Sequence, residues 1–241
     1  MELSPELKQL YDNYYGDQND TLQVKRDLTA LQSVRNLKSL LPDSKVRNLL
    51  DVGAGDGNTL VVLADQNIAE EFSAIEISKS GIEAINRKNI KNLVKVETFD
   101  GYNIEEPANQ FDLGVVLHVL EHVEHERLFI SEVVRVCKIA YIEVPLENTF
   151  FVESALRLSP LYGHINFYNA KTFPTFMKNM GLDVLGFKVF SHSKEYEQLI
   201  SGKLKGWLRY KVKTTMLKLF PRIAVFLFTY TGGVLVSTKK L

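Results

Sequence analysis

The chain has 241 residues, of which 45% are hydrophobic and 24% charged, and its 29 Lys+Arg balance 29 Asp+Glu to a formal net charge of zero. That length suits one α/β domain with additions and a full core, the balance over the whole chain suggests no polyanion partner, and the single cysteine, Cys137, excludes a disulfide framework. The N-terminus carries Glu2 and Glu6 with no apolar h-region, and no uninterrupted apolar stretch reaches transmembrane length, so the expected compartment is the cytoplasm.

In chain order, Leu28, Leu31, Val34, Leu37 and Leu41 recur at helical spacing and predict a helix over 20–41, stopped by Pro42. A strand is expected at 46–52, a helix at 57–70, a strand at 72–77, and a helix to about 89 with Ser78 as N-cap. Strands follow at 93–99 and 111–117. The segment 122–138 reads as an amphipathic helix with Leu128, Phe129, Val133, Val134 and Cys137 inward, Cys137 acting as a small buried hydrophobe. A strand at 139–144 is ended by Pro145, and 146–170 is irregular and aromatic-rich. A short helix at 171–180 closes on Gly181, a strand covers 182–190, a helix covers 196–219, and a last strand lies at 233–237. Between the last two, Ile223 to Phe228 is too short to span a membrane and is expected to pack internally. The βα alternation implies a doubly wound α/β fold, a mostly parallel sheet with helices on both faces. Within a single domain, 1–44 reads as an N-terminal helical cap, 45–192 as the βα core, and 193–241 as a basic helical insert plus the final core strand.

The densest signal is Leu49-Leu50-Asp51-Val52-Gly53-Ala54-Gly55-Asp56-Gly57. An apolar strand runs into three glycines at alternate positions, which lets the backbone take positive φ and lets a ligand approach without meeting a Cβ. Glu76 ends the next strand, where a carboxylate can accept from both hydroxyls of a ribose. In the dinucleotide fingerprint the third glycine falls one residue later, where this chain has Asn58. The spacing therefore favours a nucleoside cofactor without a pyrophosphate, because it is the pyrophosphate that needs a helix N-terminus aimed at it.

These residues resemble the class I S-adenosylmethionine-dependent methyltransferases. Asp51-Val52-Gly53-Ala54-Gly55-Asp56-Gly57 matches the first motif of that family, Glu76 the second, Phe99-Asp100-Gly101-Tyr102 the acidic residue near the adenine, and Phe111-Asp112 the opening of strand four. Leu117-His118-Val119-Leu120-Glu121-His122-Val123 is similar to the family's run ending Leu-Glu-His-Val. The resemblance covers roughly residues 45 to 190. It implies a Rossmann-like sheet of seven strands with the last antiparallel, and S-adenosylmethionine as cofactor with S-adenosylhomocysteine as product. It places the cofactor against Asp51, Gly53, Ala54, Gly55, Gly57, Glu76, Ile77, Asp100, Gly101, Leu117 and His118, with Tyr15 closing over it. The acceptor is expected against Tyr14, Glu147, Tyr162, His164 and Tyr168.

The implied reaction moves a methyl from a sulfonium to a nucleophile, so the protein aligns reactants and removes a proton if the acceptor is a hydroxyl. His164, in Tyr162-Gly163-His164-Ile165-Asn166-Phe167-Tyr168, reads either as general base or as a residue that orders its loop. His118 reads as a second candidate base or as a cofactor-lining residue. A Glu-x-x-Glu-His cluster similar to His118, Glu121 and His122 has been linked to a metal in ubiquinone-pathway O-methyltransferases; the same run also occurs in metal-free relatives, and no metal is expected here. Glu143 and Glu147 flank Pro145, Glu147 being the more exposed in this reading.

Residues 201–241 hold nine Lys or Arg and no Asp or Glu, leaving the first 200 residues with 20 basic against 29 acidic side chains. The basic stretch 203–213, with Trp207, Leu208, Val212, Met216 and Leu217, reads either as a lid whose apolar face packs on the domain or as a contact to an anionic ligand or membrane. The expected function is O-methylation of a small-molecule or sugar (glycan-precursor) acceptor with a histidine base. Lipid, quinone or natural-product methylation and a non-catalytic S-adenosylmethionine-binding protein are the alternatives. Nucleic acid is not favoured, because the Asn/Asp-Pro-Pro-Tyr/Phe of base amino-methylases is absent after strand four.

Overall fold

The computed structural model describes residues 20–238. Its elements are α1 (Asp20–Lys38), β1 (Asn48–Val52), α2 (Asn58–Asp65), β2 (Glu71–Glu76), α3 (Lys79–Arg87), β3 (Leu93–Thr98), β4 (Phe111–Leu117), a 3-10 turn (Leu120–His122), α4 (Glu126–Val136), β5 (Cys137–Leu146), α5 (Val152–Tyr162), α6 (Thr172–Asn179), β6 (Leu182–Phe190), α7 (Lys194–Ser201), α8 (Lys203–Leu219), α9 (Pro221–Leu227) and β7 (Tyr230–Thr238). They form one sheet in the order β3-β2-β1-β4-β5-β7-β6. Neighbours among β1 to β5 are parallel, and β7 runs antiparallel to both β5 and β6.

Alternation along the strands divides the core. Leu49, Leu113, Tyr141 and Leu235 face a layer made by Val34 and Leu37 of α1, Leu60 and Leu63 of α2 and Ile85 of α3. Leu50, Val116, Ile142 and Val234 face the opposite layer, with Phe129 and Val133 of α4, Phe173 and Met177 of α6 and Ala224 of α9. Each of the fully buried Val, Leu, Ile, Phe and Met side chains contributes roughly 1.5–3 kcal/mol, and the period of two is what lets one strand supply both layers. The order of strands reverses between β1 and β4, so the ligand crevice of such a sheet opens at their carboxyl ends.

Four elements differ from the sequence reading. β5 passes through Pro145 to Leu146. Its pairing with β4 ends at Glu143, and only β7 accompanies it further, an edge setting where a missing N–H is tolerated. Cys137 opens β5 rather than closing a helix, though it is buried as expected, and burial pushes its thiol up to about 12. The stretch expected to be irregular contains α5. Pro160 lies in its last turn, and the Leu156 carbonyl that a proline cannot reach is taken by Ser159 Oγ at 2.9 Å. The single helix expected over 196–219 is two, divided at Gly202 with φ +81°.

Candidate functional site

β1 delivers the chain to a turn in which Gly53, Gly55 and Gly57 all have positive φ, at +76°, +57° and +79°. A Cβ at Gly53 would stand 2.6 Å from Val119 Cγ2, so the turn is a cradle that only glycine leaves open. The backbone N–H groups of Gly53 and Ala54 donate to Ile75 O, tying the turn to β2. Gly55 N–H donates to Glu76 Oε2 at 2.8 Å, while the other Glu76 oxygen accepts from Ser78 N and Ser78 Oγ, both at 2.9 Å. Gly81 at the start of α3 brings that helix against the turn, where a Cβ would meet Gly55 O at 2.6 Å. Sequence reading missed Gly81; a glycine in the first turn of a helix, five residues beyond the acidic strand end, was the available signal.

Asp51 is 2% exposed, and its Oδ2 has no hydrogen-bond partner among the described residues. Burial, and then the charge of Glu76, push its carboxyl from 3.8 up to about 7. An orphaned buried acceptor beside a glycine cradle fits a cationic nucleoside cofactor, whose ammonium or sulfonium would favour the ionised form. On the β2–β3 side, Ile77 and Asp100 line an open cleft of about 480 Å³, together with Ile75, Thr98 and Ile104. Asp100 Oδ1 accepts from Tyr102 N–H and Asn103 N–H at 2.8 and 2.7 Å, which bends the chain at Gly101 (φ +93°). The glycine turn itself does not line this cleft.

At the end of β4, Leu117 is half-buried and His118 adopts φ +57°, uncommon for a residue with a Cβ. The strain is offset by its partners. Its N–H donates to Glu143 O at 2.9 Å, its Nδ1 lies 3.4 Å from Glu121 Oε1, and its Nε2 lies 3.4 Å from Glu143 Oε1. Burial alone would lower the imidazole; hydrogen bonds and charge from Glu121 and Glu143 outweigh it and raise His118 to about 10. The two carboxylates favour the imidazolium, the form with no lone pair to take a proton, and make His118 a clamp between the end of β4, Glu121 and Glu143. Glu143 is 1% exposed and also accepts from Ser33 Oγ (2.5 Å), Asn36 Nδ2 (2.9 Å) and Tyr141 OH (2.5 Å). It thus fastens α1 over the sheet. Ser33 and Asn36, polar residues beside Val34 and Leu37 on the inward face of α1, were the unread signal for this network.

Beyond β5, His164 Nδ1–H donates to Glu147 Oε2 at 2.7 Å. Burial lowers His164, and the hydrogen bond to Glu147 together with the charge of Glu121 more than restores it, leaving it above its ordinary value. His122 meets the His164 ring edge-on at 4.8 Å between centroids and donates from Nδ1 to Gly163 O at 3.0 Å; burial holds it below its ordinary value. The loop is sewn to the 3-10 turn, with Ile165 and Asn166 N–H donating to Glu121 O and Asn166 Nδ2 donating to Leu120 O and Val123 O. Glu121, His122 and His164 each offer a ligand atom within 4.8 Å of the others, a donor set able to share a divalent cation. His164 enters this set in the place that sequence spacing gave to His118.

The other expected acceptor contacts fare unevenly. Glu147 is half-buried against His164. Tyr168 is 6% exposed, and its hydroxyl donates to Glu126 from within the α4–α6 layer, so it packs the core and does not line a binding surface. Tyr14 and Tyr15, and the side chain of Tyr162, lie outside the described residues.

In the insert, the structure does not bear out the reading of a lid with its apolar face packed on the domain. α8 turns Gly206 and Lys213 inward, while Leu204, Trp207, Leu208 and Val212 point outward. Gly206 lets α8 cross α7 closely, a Cβ there standing 2.3 Å from Glu197 O. Lys213 Nζ donates to the fully buried Glu197 at 2.7 Å, and Arg209 Nε donates to its other oxygen at 3.1 Å. Burial would raise Glu197, but His192, Lys213 and Arg209 bring it down to about 2. Met216 and Leu217 are the apolar residues of the stretch that do pack on the core.

Residues 23–186 match the family model described as a methyltransferase domain. Among curated proteins, ajmaline N-methyltransferase of Rauvolfia serpentina is 30% identical over 99 residues, covering 39% of this chain and 34% of that protein, so the match spans about a third of the relative's length. Among solved structures, a chain of the complex between the Haloferax volcanii Trm112 methyltransferase activator and a methyltransferase superposes with a TM-score of 0.67 at 14% identity, covering 93% of this chain and 96% of that one. Geranyl diphosphate C-methyltransferase from Streptomyces coelicolor A3(2) superposes at 0.64 with 11% identity, covering 86% and 78%. At such identities these two structures establish the fold alone.

Proposed function

The chain belongs to the methyltransferase domain family, and from that membership we propose that it transfers a methyl group from S-adenosylmethionine to an oxygen of a small-molecule acceptor. The cofactor supplies an electrophilic methyl on a sulfonium. Gly53, Gly55 and Gly57 would admit it to the backbone, Glu76 would take its ribose, Asp51 its positive charge, and Ile77 and Asp100 its adenine side. His118, protonated and pinned, would hold the end of β4 in place behind it.

The observation that carries the oxygen acceptor is the His164–Glu147 pair, 2.7 Å apart on the loop beyond β5. Glu147 fixes the tautomer with the proton on Nδ1, which leaves the Nε2 lone pair as the basic one, and a neighbouring carboxylate stabilises the imidazolium that forms. A hydroxyl needs that base, and an amine that is already neutral does not. The relative from Rauvolfia is by name an N-methyltransferase, so a nitrogen acceptor is the second reading. A glycan precursor remains the acceptor class with which screening starts.

Calorimetric titration with S-adenosylhomocysteine, with NAD as control, is expected to show micromolar binding of the former alone; no binding would overturn the cofactor reading. In a screen of nucleotide sugars and glycosides, His164→Ala is expected to lower turnover about 10²- to 10⁴-fold with S-adenosylhomocysteine affinity unchanged. Unchanged turnover in the variant removes His164 as the base; turnover with amines and none with any sugar hydroxyl would favour the nitrogen acceptor.

A further inference from the structure

The apolar side chains that α8 and α9 turn outward form a continuous stripe. Leu204, Leu208, Val212 and Leu219 follow one another at helical spacing on α8, Leu204 being 79% exposed, and Ile223 and Phe226 carry the stripe onto α9. At its far end Phe226 meets Phe150, with ring centroids 5.4 Å apart and Phe150 N–H donating to Phe226 O at 2.7 Å; Phe151 packs edge-on against Phe150. Both phenylalanines are more than half exposed.

This stripe does not await closure onto its own domain. The opposite face of α8 is already docked through Gly206 against Glu197 O, through the Lys213–Glu197 ion pair, and through Tyr230 OH, which donates to Lys213 O at 2.8 Å. Ala224 fastens α9 into the core in the same way. Contiguous apolar surface of this kind, held rigidly outward, marks a contact site.

Charge says what the contact is. Lys205, Lys211, Lys218 and Arg222 flank the stripe, are exposed, and make no ion pair among the described residues; no Asp or Glu occurs anywhere in 201–241. An apolar stripe between basic flanks is the pattern of an interfacial helix on an anionic bilayer, where the apolar residues enter the acyl boundary and the cations meet lipid headgroups. No helix among the described residues is long and apolar enough to cross a membrane, so the contact is peripheral.

We propose that the outward face of α8 and α9, continued by Phe150 and Phe151, seats the protein on an anionic membrane surface. Phe150 follows Glu147 by three residues, so the seated edge adjoins the His164–Glu147 pair. An acceptor presented at that edge has its polar head at the level of the lipid headgroups. The membrane contact is independent of the transfer chemistry proposed above; only the position of the acceptor rests on that reading.

The test is co-sedimentation of the cofactor-free chain with phosphatidylcholine vesicles, with and without 25 mol% phosphatidylglycerol (about a quarter anionic, within the range where basic surfaces bind). Binding is expected on the anionic vesicles and to fall steeply with salt. The triple variant Lys211→Glu/Lys218→Glu/Arg222→Glu is expected to weaken it about a hundredfold, and Leu208→Asp/Ile223→Asp to abolish it, each with its far-UV spectrum and S-adenosylhomocysteine affinity intact. Absence of binding to anionic vesicles overturns the proposal, as does a triple variant that binds as well as the parent. A stable dimer in solution that the Leu208→Asp/Ile223→Asp variant converts to monomer also overturns it, by assigning the face to a second copy of the chain. Vesicle binding with no affinity for S-adenosylhomocysteine leaves this inference standing and removes the cofactor reading instead.

Discussion

Asp51 shows how one residue type takes its behaviour from its surroundings. In the sequence it is the acid that precedes a glycine turn; in the structure it is a carboxyl with one oxygen orphaned and its proton kept up to about 7. A carboxyl whose folded value lies above its unfolded one stabilises the fold fully below the unfolded value, near 3.8, and that contribution is lost as pH rises through the folded value. Asp51→Asn removes the dependence. The variant is expected to unfold at a higher temperature than the parent at pH 8, with the gap opening between about pH 4 and pH 7 and level above, and amounting to a few kcal/mol. Calorimetric scans of both proteins without cofactor across that range check it; a gap independent of pH would mean that Asp51 is already ionised in the fold. His118 makes the converse case. A histidine between two buried carboxylates is held toward its cationic form, and no reading of its neighbours along the chain shows that Glu143, 25 positions away, is one of the two.

At the scale of elements, the α7–α8 corner depends on a glycine and a buried ion pair that neither helix reveals alone. Helix periodicity over 196–219 leaves two readings, an apolar face packed on the domain or one turned to an outside contact, and the first is the ordinary arrangement. The structure turns a glycine and a lysine inward instead: α7 passes so close at Gly206 that no side chain fits, and Glu197 needs a cation. Gly206→Val is therefore expected to pry the two helices apart, costing about 1–3 kcal/mol and lowering the Tm by several degrees. Thermal melts followed by circular dichroism test this, and a Tm equal to the parent's would show that the crossing is looser than 2.3 Å to Glu197 O implies. The same contact is what commits the outward stripe to another partner. β5 and α5 make the milder point that a proline is judged by its neighbours: Pro145 sits where β4 has already ended, and the bond lost at Pro160 is replaced by Ser159 Oγ.

At the scale of the molecule, the last strand is placed between β5 and β6, pairing along Ile139–Leu146 on one side and Leu182–Phe190 on the other. Val234 and Val236 enter one core layer and Leu235 the other, so β7 belongs to both. Such non-local pairing is slow to form and leaves two open strand edges until it is complete. A chain ending at Leu227 is expected to lack a cooperative unfolding transition and to aggregate, although every motif of the candidate site is still present in it. Differential scanning calorimetry decides the matter; a cooperative transition in the shortened chain would mean that β1 to β5 fold as an independent unit. The charge of the molecule is divided as well. The basic excess of the last forty residues is offset by acidic residues elsewhere, and the fold gathers much of it along the flanks of one apolar stripe.

Much of this protein was determined by local sequence. Strand alternation, the glycine turn, Ser78 as N-cap and Gly181 after α6 depend on dihedral preference and on periods of two and 3.6, which are written along the chain. The geometry of the proposed cofactor side was legible for the same reason: Asp51, the glycines and Glu76 stand at the ends of adjacent strands, so their spacing in sequence fixes their spacing in space. The arrangement on the proposed acceptor side was decided only by the tertiary structure. His164 meets Glu147 and His122 because a loop beyond β5 folds back on a turn beyond β4, and Glu143 meets Ser33 and Asn36 across more than a hundred residues. Which face of α8 is buried was settled likewise, by whether α7 comes near enough to demand a glycine, and a distance between helices is not a property of either helix.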